Sequence, residues 1–543
     1  MRALFISTCL LFLSISIAAQ DATPQIAKGF VYHDANQNQI KETTEKGIAE
    51  VAVSNGVDIV LTDGNGAYEI PVSGDDVTIF VIKPSDWKTP LNEDNLPQFY
   101  YLHKPNGYPA NFKYKGVTPT GNLPAEINFP LYPEQNTRSY KVVLFGDPQP
   151  YTIEAIDFLA DDIISELIEK HQLKFGMTMG DIVGDNLDFF SPVNQAVAKL
   201  GIPWYNVLGN HDVNYMAPTD KLSDETFERV YGPATYAFEY GEVHFIVVDD
   251  VIHESVAGSR KYVGGLRPDQ LEFVANYLEL VPKNHLVVLN MHIPLVQHGE
   301  SFRQSDQKQL FELLKDFPNT LSISAHTHLQ EHKFFHQDST DWQQAKPHHH
   351  FNVGTTSGSW WNGMRNELDV PHTTMRDGTP NGYSFITFNG AEYVIDWKVA
   401  GSPADHQMNI HLPRGIAANT LDTVLLSVNF FNGTEQSQLE YRIKGISEWT
   451  EMQKVDKYDP YYLKLDQRWK QFKEIDLRGQ WEEKFADATP PGTPMPAPRI
   501  STHLWEANIG SDFPAGRHII EVRAKDRYGR VFTDFSTLRV VEE

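Results

Sequence analysis

The alternation of apolar and polar positions changes rhythm twice along the chain. From about residue 20 to 136, runs such as GFVYHDANQNQ, VAVSNGVDIVLTDGNGAYEIPV and DVTIFVIKP alternate with a period of two and are broken by Gly, Asn, Asp and Pro, the pattern of strands joined by tight turns. A β-sandwich is expected there. From about 137 to 405, continuous apolar runs alternate with helix-period segments: strand KVVLFGD, helix Ile153 to Lys170, strand KFGMTMGD, helix Phe189 to Leu200 and strand IPWYNVLGNHD. Strand VHFIVVDD, helix Pro268 to Leu280, strand HLVVLNMH, helix Ser305 to Lys315 and strand TLSISAHTH follow. This order predicts an α/β domain in which helices cover sheets. From about 406 to 543 the period of two returns, as in DTVLLSVNFF and QLEYRIKG, and predicts a second β domain of immunoglobulin-like or fibronectin-like type. Its proline-rich TPPGTPMPAP reads as an extended loop.

Composition narrows the picture. A chain of 543 residues with 41% hydrophobic side chains is too long for one core, in keeping with several domains. A net charge of -25, spread along the chain, repels nucleic-acid polymers and anionic membranes and favours a small substrate. MRALFISTCLLFLSISIAAQ has one arginine, a short apolar stretch and small residues near Ala19, the layout of a cleaved signal peptide over residues 1–19. The stretch is too short for a membrane anchor. The only cysteine, Cys9, falls inside it, which suits an exported, periplasmic or extracellular protein. Asp34, Asn36 and Asn38 in HDANQNQ are oxygen donors of the kind that hold calcium, but they also favour turns, and no chemistry is assigned to them.

Candidate chemistry gathers where the central strands end. Ligands of open α/β sheets collect beyond the carboxyl ends of strands, and there the chain places Asp147 and Gln149, Asp181, Asn210 and His211, His292, and His326 and His328. A single strand-ending Asp is explained by helix capping. Capping does not call for histidine. The run His348 to His350 opens a strand, whose neighbouring side chains point to opposite faces, so the three do not converge on one ion and exposed or supporting roles are expected. Arg365 and Arg376, in glycine- and aromatic-rich loops, are candidates to pair with a second phosphate or carboxylate of a substrate, or are surface residues around an aromatic packing seam.

The blocks GDPQ, GDIVGD, GNHD, MHIP and AHTH, in this order between about Lys141 and Leu329, resemble the calcineurin-like metallophosphoesterase blocks D-x-H, G-D-x-x-D, G-N-H-D/E, a lone H and G-H-x-H. The flanking segments resemble accessory modules of an exported bacterial branch of that family. The resemblance implies an α/β fold: a two-sheet α/β/β/α sandwich core between an N-terminal β-sandwich and a C-terminal immunoglobulin-like β domain. It implies a metal-dependent hydrolase of phosphodiesters, phosphomonoesters or pyrophosphates that activates water at a dinuclear centre. Asp181 would bridge two divalent metals, with Asp147, Gln149 and His328 completing one site and Asn210, His292 and His326 the other. His211 would stabilise charge or protonate the leaving group, with Asp212 holding its imidazole. Gln149 stands where histidine is usual. Its amide oxygen moves the expected preference among Mn, Fe and Zn towards Mn. Asp185 lies one place beyond the usual second carboxylate and is expected to orient a ligand. A non-catalytic glycan- or surface-binding protein on the same scaffold is the alternative. The sequence is silent on oligomeric state.

Overall fold

The computed structural model describes residues 25–542 except 110, 169–171, 255–259, 297–301, 368, 478–491 and 511–513, so the expected leader lies outside the described residues. The continuous apolar runs of the centre form strands buried along their whole length, as in Val243–Val247, Leu286–Asn290 and Thr320–Ser324. That is the condition of parallel strands covered on both faces. They pair in parallel, Val243 opposite Leu286 and Val287 opposite Thr320. With His348–Asn352, and with Tyr236–Tyr240 and Glu331–Phe335 as antiparallel edges, they make a six-stranded sheet.

A five-stranded sheet lies against it, in the order Trp204–Asn206, Gly176–Thr178, Ser139–Phe145, Gly382–Asn389, Glu392–Val399. Aromatic rings join the two sheets: Tyr205 stacks 3.9 Å from Phe238, and Phe388 meets Phe245 edge-on at 5.5 Å. The helices fall close to their predicted segments, Phe190–Val197, Pro268–Leu278 and Gln304–Leu314. The first, Ile153–Leu159, passes through a π-helical turn at Ala160–Ile164 into Ser165–Leu167.

The three consecutive histidines start a strand, but none of them is exposed. Thr320 and Ser322 bracket the His348 ring at 2.8 Å each, and Ser322 and Ser324 bracket His350 at 2.7 and 2.9 Å. His349, on the other face, meets His332 at 2.9 Å and the Tyr393 hydroxyl at 2.8 Å. Hydroxyls of the neighbouring strand supply the partners that let imidazoles sit in a core.

The N-terminal segment folds into two four-stranded sheets built around Gln25–His33 and Val77–Val81. Its apolar core continues into that of the centre: Phe80 packs edge-on against Phe273 at 5.7 Å, and Lys83 Nζ donates to the Glu239 carbonyl at 2.8 Å.

The C-terminal segment is a four- and a five-stranded sheet around a core that includes Leu426, Trp505 and Val522. It is not β throughout, because Pro460–Leu477 is a helix. Proline opens this helix, and Asp459 Oδ1 accepts from the Tyr462 N–H at 2.8 Å, a start signal that outweighs the surrounding strand pattern. Among the described residues no helix is long and apolar enough to cross a membrane.

Candidate metal centre

The strand-end residues converge. Asp147, Gln149, Asp181, His326 and His328 all take left-handed backbone angles, φ 38°, 40°, 49°, 70° and 54°. Non-glycine residues hold such angles where the surrounding structure fixes them, commonly at functional sites. Glycine is needed at two neighbouring places: a Cβ on Gly180 would sit 2.2 Å from His292 Nδ1, and one on Gly209 would sit 2.0 Å from the Asp181 nitrogen. Small residues thus let three strand ends close on one another.

One group of donors surrounds His292. Its Nδ1–H donates to the Met179 carbonyl at 2.9 Å, which turns Nε2 towards Asn210 Oδ1 at 3.0 Å, His326 Nδ1 at 3.2 Å and Asp181 Oδ1 at 3.3 Å. Donor atoms of Asp181, His292 and His326 lie within 4.8 Å of one another. A second group forms around His328, whose Nδ1–H donates to the Gly358 carbonyl at 2.8 Å while Nε2 faces Gln149 Oε1 at 2.9 Å and Asp147 Oδ1 at 3.8 Å. The Gln149 amide nitrogen points away, 3.2 Å from the Tyr151 hydroxyl. Asp147 also accepts from the His326 backbone N–H at 3.0 Å.

Around His328 lone pairs of nitrogen and oxygen face each other in a buried space, and around His292 carboxylate and amide oxygens converge on one imidazole nitrogen. Such a convergence is costly unless a cation sits among the donors, so the residues present fit divalent ions. Charges reflect the same crowding. Burial drives the Asp147 carboxyl well above its usual range, and the Asp181 charge adds to this. Burial disfavours charge on His292, but the Asp181, Asp147 and Asp250 carboxylates outweigh it and push its pKa up to about 10. Burial and the neighbouring His292 charge lower His326 to about 3.

His211 stands at the mouth. Its backbone N–H donates to Asp181 Oδ1 at 2.9 Å, and its Nδ1 meets Asp185 Oδ1 at 2.7 Å, with Arg260 on the other Asp185 oxygen at 2.8 Å. Burial works against charge on this imidazole, yet the Asp181 and Asp185 carboxylates raise its pKa. The partner expected for His211 was Asp212; the structure gives that contact to Asp185 instead. Asp212 is buried and accepts backbone N–H groups from Gly209 at 2.9 Å and from Ile182 and Val183 at 3.1 Å each. It ties the Asp181 loop to the Asn210 loop.

Several contributors were not singled out beforehand. Asp250, buried, accepts from the backbone N–H groups of His292 at 3.0 Å and Ile293 at 2.8 Å. Its signal was present, since VHFIVVDD ends in acids as the other strands do. Tyr151 orients the Gln149 amide, and its ring meets His211 edge-on at 6.0 Å. Trp360 stacks on His328 at 3.9 Å, and Trp361 Nε1 donates to the Pro148 carbonyl at 2.8 Å.

These rings border a groove of about 890 Å³ lined by Tyr151, Phe158, Trp360, Trp361, Arg365 and Thr493. Arg365 forms part of the wall and is paired with Glu154 at 2.9 Å and Asp369 at 3.0 Å. Arg376 does not line the groove: its Nε donates to the Ala497 carbonyl at 2.9 Å, bracing the C-terminal module. A second carboxylate cluster, Asp76, Glu225 and Glu228, is filled by the Lys104 ammonium at 2.8, 2.8 and 2.5 Å and needs no metal.

A two-sheet α/β sandwich that gathers carboxylate, amide and imidazole donors at its strand ends defines a metal-dependent phosphoester hydrolase. Residues 140–330 match the family described as calcineurin-like phosphoesterase, residues 34–117 match the N terminal of calcineurin-like phosphoesterase and residues 350–532 match the C terminal of calcineurin-like phosphoesterase. The chain belongs to the calcineurin-like phosphoesterase family. Similar solved structures include a purple acid phosphatase from yellow lupin (Lupinus luteus) seeds, 13% identical over 69% of this chain and 71% of that one with a TM-score of 0.35. Another is PhoD, 11% identical over 75% of this chain and 90% of that one with a TM-score of 0.36. No curated protein matches the chain.

Proposed function

We propose that this phosphoesterase is an exported hydrolase of small phosphate esters whose two donor groups would hold two divalent ions, with Asp181 serving as a ligand to both. The observation that carries this reading is the paired convergence of donors, Asn210, His292 and His326 in one group and Asp147, Gln149 and His328 in the other, with Asp181 beside the first. When bound, such a pair of ions supplies positive charge to clamp a phosphoryl group and to acidify an attacking water.

The chain's own residues do the rest. His292 and His328 spend their Nδ1 protons on backbone carbonyls, which keeps Nε2 of each as a donor. Tyr151 holds Gln149 with its carbonyl oxygen inward. That oxygen is a harder ligand than imidazole, and it supports Mn over Zn or Fe at this position. His211, charged and held by Asp185 through Nδ1, offers its Nε2 proton to the departing oxygen of the ester. Asp212 keeps the Asp181 and Asn210 loops in register. The groove beside His328 receives the organic part of the ester. Export is supported by the leader pattern of residues 1–19 and by the lack of cysteine after Cys9.

A panel of p-nitrophenyl phosphate, bis-p-nitrophenyl phosphate and a pyrophosphate, run on Mn-loaded protein of known metal content, tests the reading. Turnover of at least one of them, lost on chelation and restored by Mn, is expected. Metal-loaded protein that cleaves none of the three would contradict it.

A further inference from the structure

We propose that residues 34–45 of the N-terminal module bind one calcium ion in a loop of the EF-hand type, a site apart from the phosphoesterase centre. Such loops take oxygen donors from their first, third, fifth, seventh, ninth and twelfth positions, the seventh through its backbone carbonyl and the twelfth through both oxygens of a glutamate. The stretch DANQNQIKETTE places Asp34, Asn36, Asn38, Ile40, Glu42 and Glu45 at those positions. The sixth position, ordinarily glycine because the chain turns there with positive φ, is Gln39, held at φ 60°.

Two observations beyond the spacing point to a ligand. First, Asp34 and Glu45 are only 1% and 9% exposed; backbone N–H groups of Asn38, Gln39, Ala35 and Glu42 donate to their four oxygens at 2.8–3.2 Å and curl the loop round them, which leaves two buried negative charges with lone pairs to spare for a cation. The lysine inside the loop does not provide one: Lys41 Nζ donates to the backbone carbonyls of Glu42 at 3.1 Å and Glu45 at 2.9 Å. Second, Tyr32 is fully buried with a hydroxyl that has no hydrogen-bond partner among the described residues. Lys41 Nζ, anchored on the Glu42 and Glu45 carbonyls, lies 5.6 Å from the centre of the Tyr32 ring, which puts that ring against the loop; burial, followed by the charges of Asp34 and Glu45, raises the Tyr32 pKa. An unpaired buried hydroxyl beside two carboxylates is satisfied by the water shell of a bound ion.

The position gives the ion a task. The Asp34 N–H donates to the Leu131 carbonyl at 3.2 Å, and Gln37 lines a cleft of about 170 Å³ together with Pro203 and Tyr205 of the central domain. Calcium there stiffens a turn at the seam between the N-terminal module and the catalytic core.

The test uses full-length protein stripped with EDTA and reloaded with Mn, then titrated with calcium by calorimetry and by equilibrium dialysis. One further calcium per chain is expected. Glu45→Gln should weaken it by at least about tenfold, and Asn36→Ala, at an exposed position, should weaken it without disturbing the fold. Gln39→Gly should tighten it. All three variants should keep Mn-dependent turnover. No calcium uptake by Mn-loaded protein, or uptake unchanged in both Glu45→Gln and Asn36→Ala, would overturn the proposal. So would calcium binding abolished by Asp181→Asn but not by Glu45→Gln, because the ion would then belong to the phosphoesterase centre.

Discussion

At the scale of single residues, two side chains separate holding from reacting. His211 touches Asp185 and Asp181 but shares no donor with the His292 or His328 groups beyond Asp181. His211→Ala is therefore expected to leave metal content unchanged and to slow turnover by about 10²–10⁴-fold; loss of metal in this variant would assign His211 to the ligand set instead. Asp185→Asn removes one of the charges that raise the His211 pKa. A protonated His211 is required, so the alkaline limb of kcat/KM should move to lower pH, and an unmoved limb would contradict the pairing. Tyr151→Phe takes away the anchor of the Gln149 amide. One ion should then be held about 10–100-fold more weakly while the other is unaffected, as read by metal titration; two unchanged affinities would show that the amide needs no anchor.

At the scale of elements, the strand ends made the centre legible before any coordinates. Each apolar run stops at a polar block, and Asp147, Asp181, Asn210, His292 and His326 do meet, because parallel strands deliver their carboxyl ends to one edge. What the pattern did not carry was the turn after each strand. Asp185 and Asp212 are both close to His211 in the folded chain, and the backbone N–H groups of Gly209, Ile182 and Val183 occupy Asp212 while Asp185, in a left-handed turn at φ 65°, faces the imidazole. The helix Pro460–Leu477 escaped for a related reason: a single capping aspartate starts it inside a strand-rich tail. The three histidines show how a neighbouring strand can change a residue's setting, since their burial depends on Thr320, Ser322 and Ser324 being opposite. Ser322→Ala removes a hydrogen-bond partner from both His348 and His350. A loss of about 1–3 kcal/mol is expected in urea unfolding, and an unchanged midpoint would show that the ladder is not needed.

At the scale of the whole molecule, the accessory modules are built into the enzyme. Thr493, from the proline-rich loop, lines the groove and bonds Asn362 at 2.7 Å, so the C-terminal module shapes the cleft. The N-terminal module is joined through Lys83, whose pKa burial pushes down to about 8 against the opposing Glu134 and Glu239 charges. Unfolded, this lysine keeps its proton up to 10.5. Between these values the unfolded chain binds more protons than the folded one, so the group makes stability rise with pH. Lys83→Met should lower that slope by up to about 1.4 kcal/mol per pH unit; identical slopes would place the ammonium in water rather than in the seam.

The central claim is a pair of ions sharing Asp181, and metal analysis of purified protein beside Asp181→Asn tests it most directly. Two divalent ions per chain in the parent, and loss of both with nearly all phosphoester turnover in the variant, are predicted. A parent holding one ion, or a variant that keeps two and still turns over, would contradict the account.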